Sequence, residues 1–192
     1  MLRFFSEFGK ERSAQLKFIC TDMWKAYLKV IKRKAPQALN ILDRFHIKKH
    51  MNDGVDKARR KESASLEERG YEPILKKSRW ALLKNPENRT EKQNLKMREL
   101  LQYSLKSVKS YLLKTEFEKF WRYKSVFWAE IFLDEWIYKV MRSRIEPMKE
   151  VAKMLRNHKL LIMNWFKVKG ARLSSGPIEG LNNKAKVTIR KS

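Results

Sequence analysis

Asp22 closes a short apolar run, Leu16-Lys17-Phe18-Ile19-Cys20-Thr21, and Glu179 sits far along the chain in Gly176-Pro177-Ile178-Glu179-Gly180-Leu181-Asn182-Asn183-Lys184. Carboxylates held at the ends of secondary-structure elements, still facing solvent, can bind hard divalent cations such as Mg²⁺. Two such cations bridged by acids activate a water or a 3′-hydroxyl and stabilise the leaving oxygen of a phosphodiester. That chemistry cuts and joins polynucleotides without a protein nucleophile, and it usually takes three acids. Each residue also has a plainer role open to it. Asp22 can cap the helix that follows it, and Glu179 can complement the dipole of the helix it opens.

The elements around these acids are readable. Pro177 suits a first helical position, and Gly176 before it lets the chain turn. Ile178, Leu181, Ala185 and Ile189 then form an apolar stripe, beside a second stripe of Glu179, Asn183, Lys186 and Arg190. Asn182 and Asn183 are poor helix formers in a helix interior, so local propensity does not account for them. With Lys184, Lys186 and Arg190 alongside, the arrangement is an acid among bases, which suits a metal next to a polyanion.

At the other end of the chain, Leu2, Phe4, Phe5 and Phe8 suit a short helix that Gly9 punctuates. Leu16 to Thr21 reads as a buried strand delivering Asp22 at its tip. A helix from Met23 to about Ala35 follows, with Trp24, Tyr27, Leu28 and Ile31 at helical spacing, and Pro36 stops it. Ala38-Leu39-Asn40-Ile41-Leu42 is a second strand running into Asp43. Strand, helix, strand is the order of a parallel crossover unit, which sends both acids to one sheet edge, where α/β proteins usually build their sites.

From residue 44 to about 168 only helical periodicity recurs. Ile47, Met51, Val55 and Ala58 mark one helix, Met97, Leu101, Leu105, Val108 and Leu112 another, and Met148, Val151, Leu155 and His158 a third after Glu146-Pro147. Basic runs that include Arg59, Arg60 and Lys76-Lys77-Ser78-Arg79 surround a weakly patterned stretch, Ser63 to Pro73, that suits a mobile connection. Asn85-Pro86-Glu87-Asn88 is a turn. The aromatics between Phe117 and Val140 suit a core better than a base-stacking platform.

Composition narrows the partner. Among 192 residues, 45 Lys and Arg against 21 Asp and Glu give a formal charge of +24, spread from Lys10 to Lys191. Nucleic acid is the obvious ligand for such an excess. An anionic membrane surface is the rival, but no stretch approaches the roughly 20 apolar residues of a span, and no signal-like segment opens the chain. A soluble, intracellular protein is expected. With a single cysteine, Cys20, no internal disulfide can form. His46 and His50 are four apart on one helix, as in half a zinc site, yet no third ligand has the right spacing, so packing or DNA-backbone contact is preferred. The absence of a Gly-rich phosphate loop and of any Ser/His/Asp arrangement argues against an NTPase or a serine hydrolase.

Four blocks together resemble the ISL-three family of DDE transposases of bacterial insertion sequences: Cys20-Thr21-Asp22-Met23-Trp24-Lys25-Ala26-Tyr27; Asp43-Arg44-Phe45-His46-Ile47; Arg79-Trp80-Ala81-Leu82-Leu83-Lys84-Asn85-Pro86-Glu87-Asn88; and Gly176-Pro177-Ile178-Glu179-Gly180-Leu181-Asn182-Asn183-Lys184. They occur in the family's order and span essentially the whole chain. The resemblance implies a predominantly helical α/β fold, an incomplete RNase H-like core of about two strands with a large all-helical insertion. The corresponding divisions are 1–43 for the partial core, 44–170 for the insertion and 171–192 for the final core helix. It also implies that Asp22 and Glu179 are the second and third acids of a DDE triad holding two Mg²⁺ or Mn²⁺ ions. Asp43 and His46 would lie near that site, with Asp43 as a helix cap the alternative, and Lys184, Lys186, Arg190, Asn183, Arg59 and Arg60 would contact DNA.

The implied partners are terminal inverted repeats and target DNA, with a second copy or a complementing transposase segment, in the bacterial cytoplasm at the nucleoid. The family's first catalytic Asp, on a strand that should precede residue 1, has no counterpart here. The expected identity is therefore the C-terminal part of a transposase, with a non-catalytic basic DNA-binding remnant as the alternative.

Overall fold

The computed structural model describes residues 2–168, so Glu179, Asn183, Lys184, Lys186 and Arg190 lie outside the described residues. The chain divides into two compact units, one holding the residues up to Lys48 together with those from His158 onward, the other Lys49–Asn157.

In the first unit, helix α1 (Leu2–Phe8) stops where Gly9 turns at φ 86°, a left-handed conformation that favours glycine. A short helix α2 (Lys10–Ala14), which the apolar pattern did not signal, follows. Strand β1 (Phe18–Thr21) and strand β2 (Leu39–Leu42) pair in parallel, joined by helix α3 (Lys25–Lys34), in the register Phe18↔Leu39 to Thr21↔Leu42. The expected crossover unit is thus present, with boundaries tightened by one or two residues.

Helix α3 starts later than expected because Trp24, not Asp22, stands at its N-cap, and Trp24 is exposed, edge-on to Tyr27. Ile31 and Ala35 supply the buried face instead, packing with Phe5 and Ala38.

Helix α4 (Arg44–Glu68) buries Ile47, Met51, Val55 and Ala58, the four residues its spacing picked out. It also takes in Ser63–Glu68, half of the stretch read as a connection, since nothing before Gly70 interrupts the helix.

The second unit continues with α5 (Arg79–Leu83), a 3₁₀ turn over Pro86–Asn88, α6 (Glu91–Leu101), α7 (Lys106–Phe117), a 3₁₀ turn over Glu118–Arg122, α8 (Val126–Met141) and α9 (Glu146–Asn157). The single helix expected across Met97–Leu112 is two. Leu101 and Leu112 are exposed, while Leu100 and Tyr111 take the buried positions. The break is stabilised from a distance. The Glu62 carboxylate accepts the backbone N–H groups of Lys106 and Ser107, both at 2.7 Å, and so caps α7 from α4.

The aromatic region is core only in part. Phe117, Phe120 and Trp136 are buried and in ring contact, whereas Phe127 and Trp128 are exposed. Trp136 donates its indole N–H to the Leu113 carbonyl at 2.9 Å, so its burial leaves no polar atom stranded.

Lys114 is buried as well. Its ammonium donates to the carbonyls of Leu82 (2.9 Å) and Leu83 (2.8 Å), closing the C-terminal end of α5, and to Asn52 Oδ1 (3.3 Å). Gly54 lets α4 approach α9 closely, because a Cβ there would meet Val151 Cγ2 at 2.9 Å. The short helix α10 (Lys159–Met163) and a 3₁₀ turn over Asn164–Lys167 belong to the first unit.

Candidate active site

Parallel pairing sets the geometry at the sheet's C-terminal edge. The ladder extends one step past the strands, with the Asp43 N–H donating to the Thr21 carbonyl at 2.8 Å, so Asp22 and Asp43 leave adjacent strands at the same level. Alternation along the strands carries Cys20 and Ile41 to one face, and Ile19, Thr21, Asn40 and Leu42 to the other.

The two acids differ in their surroundings. Asp22 is half-buried, and its Oδ1 accepts the Trp24 N–H at 3.0 Å. This is an Asx turn at the strand exit and not a helix cap. The other oxygen, Oδ2, has no hydrogen bond among the described residues.

Asp43 is fully buried. Its Oδ1 accepts the Phe45 N–H at 2.9 Å, its backbone carbonyl accepts from Ile47, and its Oδ2 lies 3.1 Å from His46 Nδ1. Asp43 therefore caps α4 and orients the imidazole. Its charge reaches the opposite strand. The Cys20 thiol is pushed up to about 11, chiefly by burial and also by the Asp43 carboxylate.

Two residues that periodicity alone could not single out brace this edge. Thr21 Oγ1 donates to Asn40 Oδ1 at 3.0 Å, and Asn164 Nδ2 donates to the Asn40 carbonyl at 2.7 Å. A polar Asn inside the apolar run Leu39–Leu42 was the available signal for Asn40. Asn164 carries no such signal.

Among the described residues no group of three or more His, Cys, Asp or Glu could hold a metal ion. Asp22 and Asp43 alone do not fit a two-cation centre, since Asp43 is engaged on three sides. His46 is turned to Asp43.

In the second unit, Arg59 and Arg60 meet on Asp56. Arg59 approaches it at 2.9 Å, Arg60 at 3.3 Å and Arg79 at 3.7 Å. Arg59 is largely covered by this arrangement, while Arg60 and Arg79 stay exposed.

A family model described as a transposase, of the ISL3 DDE type, matches residues 1–192, and the chain belongs to that ISL3 family.

It is similar to the transposase for insertion sequence element IS1001 of Bordetella parapertussis, 28% identical over 191 residues, covering 98% of this chain and 46% of the relative. It is also similar to the transposase for insertion sequence element IS1557 of Mycobacterium tuberculosis, 27% identical over 209 residues, covering 97% of this chain and 46% of the relative. The chain thus spans about half the length of the curated relatives it matches. No solved structure matches. No helix among the described residues is long and apolar enough to cross a membrane.

Proposed function

We propose that the chain works in DNA transposition, with Asp22 as a catalytic carboxylate at the edge of a partial RNase H-like core and the basic helical unit as its hold on DNA. One observation carries this reading. The parallel crossover brings Asp22 to the sheet's C-terminal edge with an open carboxylate oxygen, while Asp43 beside it is consumed in capping α4 and orienting His46. Asp43 and His46 are then positioning residues.

Asp22 and Glu179 are two of the carboxylates that a pair of Mg²⁺ or Mn²⁺ ions would need, together with a further acid. Terminal inverted repeats and target DNA are the substrates, in the cytoplasm at the nucleoid, with Lys184, Lys186, Arg190, Asn183, Arg59 and Arg60 as backbone contacts.

A second reading is favoured by the engagement of Asp43, which leaves Asp22 as the one open carboxylate at the sheet edge among the described residues: on its own the chain binds DNA without cutting it. Both readings expect affinity for duplex DNA that falls steeply with salt, because a formal charge of +24 binds by releasing counterions. They separate when terminal-repeat DNA is incubated with the isolated chain and Mg²⁺ or Mn²⁺. The expected result is binding without nicking. Reproducible nicking abolished by Asp22→Asn or Glu179→Gln overturns the non-catalytic reading.

A further inference from the structure

We propose that the concavity lined by α4 and the starts of α7 and α9 is a phosphate site for a nucleic-acid backbone, with Arg144 placed in it at the expense of backbone strain. The inference rests on the DNA-binding reading above and assigns it a location within the second unit.

The concavity measures about 270 Å³ and gathers Lys61, Arg69, Lys106 and Arg144 against Glu62 and Glu146. Both acids are already occupied. Glu62 holds the two backbone N–H groups that open α7, and Glu146 meets Lys149 Nζ at 2.6 Å, which keeps its carboxyl below the ordinary range. None of the four cations has a carboxylate within 4 Å among the described residues. Arg69 is held in place by Tyr71, its guanidinium 4.9 Å from the ring centroid and 3.3 Å from the hydroxyl. Lys61, Arg69, Lys106 and Arg144 outnumber the two acids of the concavity, so an excess of positive charge on a concave wall faces an entering anion.

Arg144 supplies the independent observation. Lys77 and Arg144 are the two non-glycine residues with positive φ among the described residues, at 59° and 58°. That conformation is uncommon outside glycine and is populated mainly by Asn, Asp and His. A long cation gains nothing from it locally. Ser143 and Ile145 are buried on either side of Arg144, the Ile145 carbonyl accepts the N–H groups of Met148 and Lys149 at 3.0 Å, and the side chain between them lines the concavity. Strain kept at one residue between two anchored neighbours marks a side chain whose position matters. The planar guanidinium suits bidentate contact to a phosphodiester.

Arg144→Gly tests this, because glycine relieves the φ strain while removing the charge. Lys92→Gln, an exposed cation elsewhere on the unit, is the control for simple loss of charge. Binding of a 20-base-pair duplex is measured between 50 and 200 mM salt, and thermal protection by inorganic pyrophosphate is measured in parallel.

The expected result is that Arg144→Gly melts at or above the parent temperature. It binds the duplex about tenfold more weakly at low salt, loses roughly 0.9 from the salt slope, and is no longer protected by pyrophosphate. The pair Lys61→Gln with Lys106→Gln, which leaves the turn untouched, reproduces the loss. Duplex affinity in Arg144→Gly equal to that in Lys92→Gln overturns the site and leaves the DNA reading standing. Pyrophosphate protection lost in Arg144→Gly, from a parent that binds no duplex, keeps the anion site and overturns the DNA reading.

Discussion

The sheet unit and the helical unit hold themselves together differently. Around the sheet, one buried cluster is Phe5, Ile31, Ala35 and Ala38, with Leu16, Ile19 and Val30 only partly covered and an apolar groove of about 430 Å³ beside Phe4, Phe18 and Tyr27, while Ile41, Leu42, Ile162 and Met163 are buried as well. Two strands of four residues carry both acids. The helical unit is braced by a dense aromatic and aliphatic interior and by the hydrogen-bonded buried groups of Lys114 and Trp136. At the sheet edge, hydrogen bonds between side chain and backbone add to the packing, Asn164 to the Asn40 carbonyl among them. The difference is physical: a two-stranded parallel sheet has little surface to bury, whereas six helices can bury a stripe each.

Substitutions can break or sharpen this contrast. The largest effect is expected from Trp136→Ala, which empties a fully buried indole site and strands the Leu113 carbonyl, lowering stability by about 3–5 kcal/mol in urea unfolding. A loss under 1 kcal/mol would mean that the helical interior is not what holds that unit. Next is Lys114→Met, similar in length but without the ammonium, which leaves the Leu82 and Leu83 carbonyls unsatisfied and costs about 2–3 kcal/mol. A neutral result would show that the buried lysine is dispensable packing.

The smallest change in stability, about 1 kcal/mol, is expected for Asp43→Asn, which retains the cap on Phe45 but removes the charge. Its clearer readout is Cys20. The parent thiol, at about 11 against an ordinary 9.0, stays protonated in the folded chain while the unfolded chain ionises. This contribution to stability is intact below pH 9 and is lost as pH rises from 9 towards 11. In Asp43→Asn the thiol should ionise at lower pH and be alkylated faster by iodoacetamide at pH 9. An unchanged rate would detach Asp43 from the sheet edge.

Much of this architecture was legible in the residues because it is written in local pattern. Apolar runs bounded by Asp marked both strands, and the i, i+4 series at Ile47, Met51 and Val55 marked α4. The errors fall where distant groups decide. Nothing local ends the helix after Leu101, since the α7 cap arrives from Glu62, and nothing local predicts that Lys114 will be buried on the carbonyls of α5. For the candidate site, the placement of Asp22 and Asp43 was readable, but the division of labour between them was not. It depends on which acid faces His46 and the α4 N-terminus, a matter of side-chain direction and not of spacing.

The hydrogen bond from Asn164 to the Asn40 carbonyl joins residues 124 positions apart, and it has a consequence for the order of assembly. The sheet unit is discontinuous in sequence, with Lys49–Asn157 intervening. On a ribosome, β2 emerges long before the residue that braces its carbonyl. The brace on the edge that carries Asp22 therefore waits for the chain beyond residue 157.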